Sequence, residues 1–184
     1  GPAQEMQGER SRNVGSWGYQ KAAASVSGGS DAVRLLFSTS TETSDQYQDG
    51  DGNTFYEQIE NLNLAGPASM VQYKDIYKGQ AAYTKRTFMG KAYIDIAADQ
   101  QLRLGYTVNR SDDILYPSSK MDALYDDSDI INVDYSIANL GELSKQHDIH
   151  FYYSRVDHPM STDYRNSSGL TDSAQEMVNA LPTD

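Results

Sequence analysis

The stretch QLRLGYTVN, residues 101–109, decides the fold. Leu102, Leu104, Tyr106 and Val108 fall on one side of an extended chain, and Gln101, Arg103, Thr107 and Asn109 on the other. Side chains alternate with period two along a strand, so this segment reads as a strand with one apolar and one polar face. The same period returns downstream, where Ile131, Val133, Tyr135 and Ile137 oppose Asn132, Asp134 and Ser136, and where Ile149, Phe151 and Tyr153 oppose His150, Tyr152 and Ser154. Upstream, Val33, Leu35, Phe37 and Thr39 oppose Arg34, Ser38 and Ser40, with Leu36 as the exception. Phe88, Gly90, Ala92, Ile94 and Ile96 oppose Thr87, Lys91 and Asp95. Residues 19–27 alternate weakly and 8–18 supply a further candidate, for about seven strands in all.

The connections between these segments alternate in length. Short ones fall at Gly28-Gly29-Ser30-Asp31, at Ala98-Asp99-Gln100 and around 141–146; long polar ones fall near 44–80, 112–128 and 158–184. Tight turns at one end and long loops at the other describe an up-and-down antiparallel sheet, the plan of transmembrane β-barrels. The expected class is therefore all-β: antiparallel, up-and-down strands of a partial transmembrane β-barrel with long extracellular loops. Arg34, Lys91, Asp95, Arg103 and Asp134 on the polar faces suit a wet lumen. Alternation alone does not say whether lipid or a protein core covers the apolar face. A soluble β-sandwich that binds a ligand or partner, calcium-dependent in one version, stays open beside the barrel. Need for detergent separates the two, because an uncovered Leu102/Leu104/Tyr106 stripe demands it.

Composition narrows the function classes. In 184 residues there are 15 Lys+Arg against 26 Asp+Glu, a net charge of −11, whereas a nucleic-acid partner calls for a basic footprint. No apolar run approaches the ~20 residues of a membrane helix. There is no Cys, hence no disulfide, thiolate metal site or Cys nucleophile. Fourteen Tyr beside one Trp and four Phe, with many Gly, Ser, Thr, Asn and Asp, suit a β-rich chain with polar loops. Gly1-Pro2 reads as a protease-cleavage remnant and 1–7 as a leader. Residues 57–64 read as a helical turn within a long loop, and Ser173-Ala174-Gln175-Glu176 as a capping box ahead of Met177, Val178 and Leu181.

Few residues point to chemistry. Asp49-Gly50-Asp51-Gly52-Asn53 matches the first half of an EF-hand loop with Glu60 at its twelfth position, but Thr54 stands where that loop needs Gly. A solvated Gly/Asp loop is the preferred reading there. Three His (147, 150, 158) crowd one strand region, with His147 and His150 on opposite strand faces. Asp112/Asp113 and Asp126/Asp127 sit in loops rather than in the buried settings that make acid/base dyads. Nothing points to an enzyme. Tyr116, Tyr125, Tyr153 and Tyr164 near strand ends suit an interfacial girdle. The sharpest pair is His158 and Met160, which at i and i+2 on an extended backbone point the same way. Imidazole plus thioether suits Cu(I) better than a hard cation. The alternative is a strand end at Asp157-His158-Pro159-Met160 whose Pro breaks the ladder. Met121 is a weaker candidate.

The stretches GSWGYQKAAASVSGGSDAVRLLFSTSTETSDQYQDGDGN (15–53), LRLGYTVNRSDDILYPSSKMDALYDDSDIINVDYSIANL (102–140) and IHFYYSRVDHPMSTDYRNSSG (149–169) resemble the first barrel strands of TonB-dependent outer-membrane receptors. The pattern "D-D-I-L-Y-P…M-D…D-D-S-D" and the later "Y-Y-S-x-V-D-H-x-M" are similar to the branch that includes copper receptors. The resemblance covers roughly 8–169, which it implies to be barrel strands, with 170–184 an extracellular loop. Such barrels have about 22 strands, a plug domain and a TonB box, none of which is complete here, so the chain is expected to be part of a receptor. The resemblance implies a Gram-negative outer membrane, contact with outer-membrane lipid, TonB as energy source through the missing plug, and uptake of a metal ion or metal chelate. Copper is the first cargo, a siderophore-type chelate the next. It also places His158 and Met160 at the extracellular end of a strand, as half of a metal site whose other ligands come from the plug.

Overall fold

The computed structural model describes residues 2–142 and 144–168. Seven long strands follow one another: β1 (Gln7–Val14), β2 (Gln20–Gly29), β3 (Val33–Ser44), β4 (Tyr83–Ala97), β5 (Gln100–Ile114), β6 (Asp122–Ala138) and β7 (Gln146–Asp157). Each pairs antiparallel with the next, and the two-residue β8 (Met160–Ser161) returns onto the loop end of β6. The chain is thus an all-β, up-and-down sheet. Among the described residues no second sheet lies against it.

The register turns the sequence alternation into two continuous faces. Val26, Phe37, Gly90, Tyr106, Ile131 and Tyr153 lie level in one row across six strands. Leu35, Ala92, Leu104, Val133 and Phe151 form the row next to it on the same face. The opposite face is laced by side chains reaching across strands. Thr87 donates to Asn109 at 2.9 Å, and Asn109 donates to Ser128 at 3.0 Å. Arg34 donates to Asp95 at 2.5 Å, Lys21 meets Glu42 at 3.0 Å, and His150 Nδ1 stands 2.7 Å from Asp134. Such pairs satisfy polar groups that the pleat sets side by side.

At the tight end, Ser30 donates its backbone N–H to Val33 O at 2.7 Å. Only Gly serves at position 29, since a Cβ there would come within 2.1 Å of Val33 O. At the other end the expected long connection at 112–128 shrinks to residues 115–121, because β5 and β6 run on as strands. The alternation fades before the strands do: past Val108 and Ile131 both faces turn polar, while backbone pairing from Asn109↔Ser128 to Ile114↔Ala123 continues. The loop between β3 and β4 holds the expected helical turn, α1 (Phe55–Asn61), and two short 3₁₀ turns at Gly66–Val71 and Asp75–Tyr77. The expected capping box at 173–176, and the loop at 170–184 around it, lie outside the described residues.

The buried apolar core lies in the loops, not on the sheet. Phe55, Tyr56, Ile59, Tyr73, Ala82, Leu115 and Tyr164 pack together. On the sheet, Phe37, Phe88 and Phe151 remain more than half exposed, at 57%, 54% and 57%. Burial of apolar area is the main force that holds a fold together, and here no described residue supplies it to that face. No described helix is long and apolar enough to cross a membrane, which says nothing about crossing by strands.

Candidate functional site

The loop core closes onto the polar side of the sheet. Tyr83 and Leu124 pack against it, and by register both share the face that carries Glu42, Lys85 and Ser128. A folded cap therefore stands at the mouth of the polar face. Its first element is α1, whose N-terminus is closed by a reciprocal box: the Glu57 N–H donates to Thr54 Oγ1, and the Thr54 N–H donates to Glu57 Oε2 at 3.0 Å. Two otherwise orphaned donors are satisfied in this way.

This box is where the half EF-hand reading leads. Asp49 Oδ1 accepts the backbone N–H groups of Asp51 and Asn53, both at 2.9 Å, and the Asn53 amide donates to the same carboxylate. Thr54, the departure from the calcium pattern, is the helix cap. These residues build a turn and a cap, as the solvated-loop reading expects. The hydrogen bonds hold both carboxyls below their ordinary values: Asp49 chiefly through the Asn53 backbone, Glu57 chiefly through the Thr54 backbone. Groups so lowered add stability above their ordinary values of 3.8 and 4.5 and lose it as pH falls through the lowered ones. Acidification from about pH 5 to about pH 2 is therefore expected to speed amide exchange at Thr54 and Glu57 beyond the intrinsic acid dependence. Equal protection at both ends of that range would contradict the cap.

The centre of the cap is Arg165, fully buried. Its Nε donates to Asp122 Oδ2 at 2.6 Å, and one terminal nitrogen donates to Asp122 Oδ1 at 2.9 Å, a two-pronged charge-assisted pair. The other terminal nitrogen donates to Val71 O at 2.9 Å, and the nitrogen on Asp122 Oδ1 also reaches Tyr116 O at 3.0 Å and the Tyr73 hydroxyl at 2.8 Å. The guanidinium lies 3.7 Å from the Tyr73 ring centroid. Asp122 in turn accepts from Tyr73 and from the Tyr116 N–H. One side chain thus ties the β3–β4 loop, the β5–β6 loop and the segment after β8. Burial pushes the Tyr73 hydroxyl upward, burial and then Asp113 do so for Tyr164, and the hydrogen bond to Asp75 raises Tyr56 to about 12. All three hydroxyls stay protonated donors at neutral pH. Two of the four expected girdle tyrosines are consequently placed elsewhere: Tyr164 is buried in the cap and donates to Asp113, and Tyr116 sits half-buried in the β5–β6 loop.

His158 and Met160 flank Pro159 where β7 gives way to β8. The pairing slips by one residue here, from Asp127↔Asp157 to Ala123↔Met160. Three β6 residues then face two, which is the count of a bulge. His158 Nδ1 stands 3.5 Å from Asp126, and its ring lies 6.2 Å from that of Tyr116. Met160 is paired with Ala123, a β6 position of the opposite parity. The slip therefore separates two side chains that uninterrupted alternation would point the same way. Among the described residues no three His, Asp or Glu converge as a metal cage. His158 with Asp126 is a two-donor arrangement at the mouth of the polar face, beside the cap. Met121 closes the β5–β6 loop with its N–H on Ser119 Oγ at 3.2 Å, and His147 and His150 lie along the exposed edge strand. Sequence reasoning missed Arg165 and Asp122, since neither stands in a periodic segment and their meeting is a long-range one.

No known family profile matches the chain, and no curated protein matches it. Among solved structures the chain is similar to a protein named copper transporter OprC, with a TM-score of 0.66 and 17% identity. The match covers 87% of this chain and 21% of that one, so the chain spans about a fifth of that protein's length. At this identity the likeness is one of fold.

Proposed function

We propose that the chain is part of the wall and outer rim of a TonB-dependent outer-membrane receptor that takes up a metal ion or metal chelate in a Gram-negative bacterium. The observation that carries this reading is the two-faced sheet: one face apolar and uncovered across the middle of the strands, the other hydrogen-bonded and polar, with a folded cap at the polar mouth. A lipid-spanning barrel wall needs such a division, because lipid tolerates neither open polar groups nor charge on its side. The likeness in fold to a copper transporter supports it; copper is the first cargo in this reading, with a siderophore-type chelate next. Transport in this reading is not catalysis. The wall supplies scaffold and loop ligands, and TonB acts through a plug domain outside this chain.

Within this reading His158, backed by Asp126, is the cargo-facing ligand of half a site; Met160, set to the other side by the register slip, adds its thioether only if the Pro159 bulge rearranges around the ion. An imidazole with a thioether favours Cu(I) over hard cations. A Cu(I) titration against a competing chromophoric chelator tests the pair. The expected result is weak binding that is lost in the His158→Ala, Met160→Ala double variant. Binding that persists undiminished in that variant removes both residues from the site.

A further inference from the structure

The apolar face carries a feature that a plain lipid-facing wall does not require. On its loop side a shallow trough of about 540 Å³ is floored by Ala22, Ala24, Thr39 and Thr41 and walled by Arg10 and Arg86. Register places Arg10 level with Ala24, and Arg86 level with Thr41, so both arginines belong to the apolar face. Directly below, an apolar groove of about 520 Å³ runs between Val26, Phe37, Phe88 and Tyr106 over Gly90. The two hollows share Ala24, Thr39 and Phe88, and so form one continuous depression, cationic above and apolar below. In a chain of net charge −11 this is a local reversal of sign. Arg10 has no ion pair among the described residues, and Arg86 has only an exposed one, to Asp112 at 3.3 Å.

Resting on the outer-membrane reading above, we infer that this depression holds a phosphate-headed lipid, its phosphate between Arg10 and Arg86 and an acyl chain along the groove. Guanidinium groups suit this task because their planar fork matches phosphate oxygens and is weakly hydrated. The small residues between the arginines leave space for a head group, and Gly90 leaves the groove open where any larger residue would narrow it. Asp112 is the competing partner of Arg86, so Arg10 is the side chain free to engage first.

The test is flotation of the full chain with phosphatidylcholine vesicles, and with the same vesicles containing one fifth phosphatidic acid. The expected result is binding to both, with about tenfold preference for phosphatidic acid against the repulsion expected of an acidic chain. Arg10→Gln with Arg86→Gln is expected to abolish the preference while leaving phosphatidylcholine binding intact. The charge-matched control Lys85→Gln with Lys91→Gln, on the polar face, is expected to retain it. A preference that survives in the arginine variant overturns the site. So does a preference erased by millimolar inorganic phosphate but not by chloride of equal ionic strength, which would make it a small-anion site. Failure to float with either vesicle overturns the membrane reading beneath it instead.

Discussion

Replacing Arg165 by Met is expected to loosen the whole loop cap while leaving the sheet paired. The substitution strands Asp122, fully buried, without its cation, and removing one partner of a buried pair costs about 3–5 kcal/mol. It also leaves the carbonyls of Val71 and Tyr116 without their donors. Hydrogen exchange is the measurement. Amides of the β3–β4 and β5–β6 loops should lose protection by two to three orders of magnitude, since ~1.4 kcal/mol is a factor of ten. Amides in the middle of β4, β5 and β6 should keep theirs. A second variant separates charge from packing: Arg165→Met with Asp122→Leu removes both charges, and replacing a buried pair by apolar groups is often neutral. Recovery of loop protection in the double variant is expected. Unchanged exchange in Arg165→Met would mean that the apolar core alone holds the cap.

Leu104→Arg is expected to cost about 2–4 kcal/mol of folding free energy in phospholipid vesicles, whereas Thr107→Arg costs little. The two residues lie three apart on β5 and on opposite faces. Leu104 lies in the apolar row with Leu35, Ala92 and Val133; Thr107 pairs with Met89 and Ile130 on the hydrogen-bonded side. A denaturant titration of the vesicle-bound chain reads the difference directly. Equal costs at both sites would show that neither face meets lipid and would sink the barrel-wall reading.

What the sequence showed of this fold, it showed through alternation, and it stopped showing it where alternation stopped. Leu102, Leu104, Tyr106 and Val108 announced β5, but Arg110, Ser111 and Asp112 continue the strand without an apolar face to betray it. Pairing there is carried by the backbone, which is silent in sequence. The acidic run at 49–53 was legible as a loop, and Thr54 was the informative residue: unsuitable at its place in a calcium loop, it is apt as a helix cap three residues ahead of Glu57. The His158–Met160 spacing misled about direction, because inferring a shared side from i and i+2 assumes an unbroken ladder, and the register slips between those residues. Arg165 carried no local signal at all. A lone Arg in a polar segment ordinarily reads as a solvated charge, and only the fold brings Asp122 and Tyr73 to it.

The placement of the core in the loops also fixes an order of dependence along the chain. Each contact among the seven long strands joins a strand to its sequence neighbour, so these strands can be laid down one hairpin at a time by local closures. The cap obeys the opposite rule. Arg165 reaches back 43 residues to Asp122, 49 to Tyr116 and 94 to Val71. The links to Asp122 and Tyr116 span β6 and β7, and the link to Val71 spans β4 and β5 as well, so their geometry depends on where those strands lie. The buried arginine therefore works as a proofreading contact: a slipped register in β4, β5, β6 or β7 would displace one of its partners, and only a correctly paired sheet carries a closed cap.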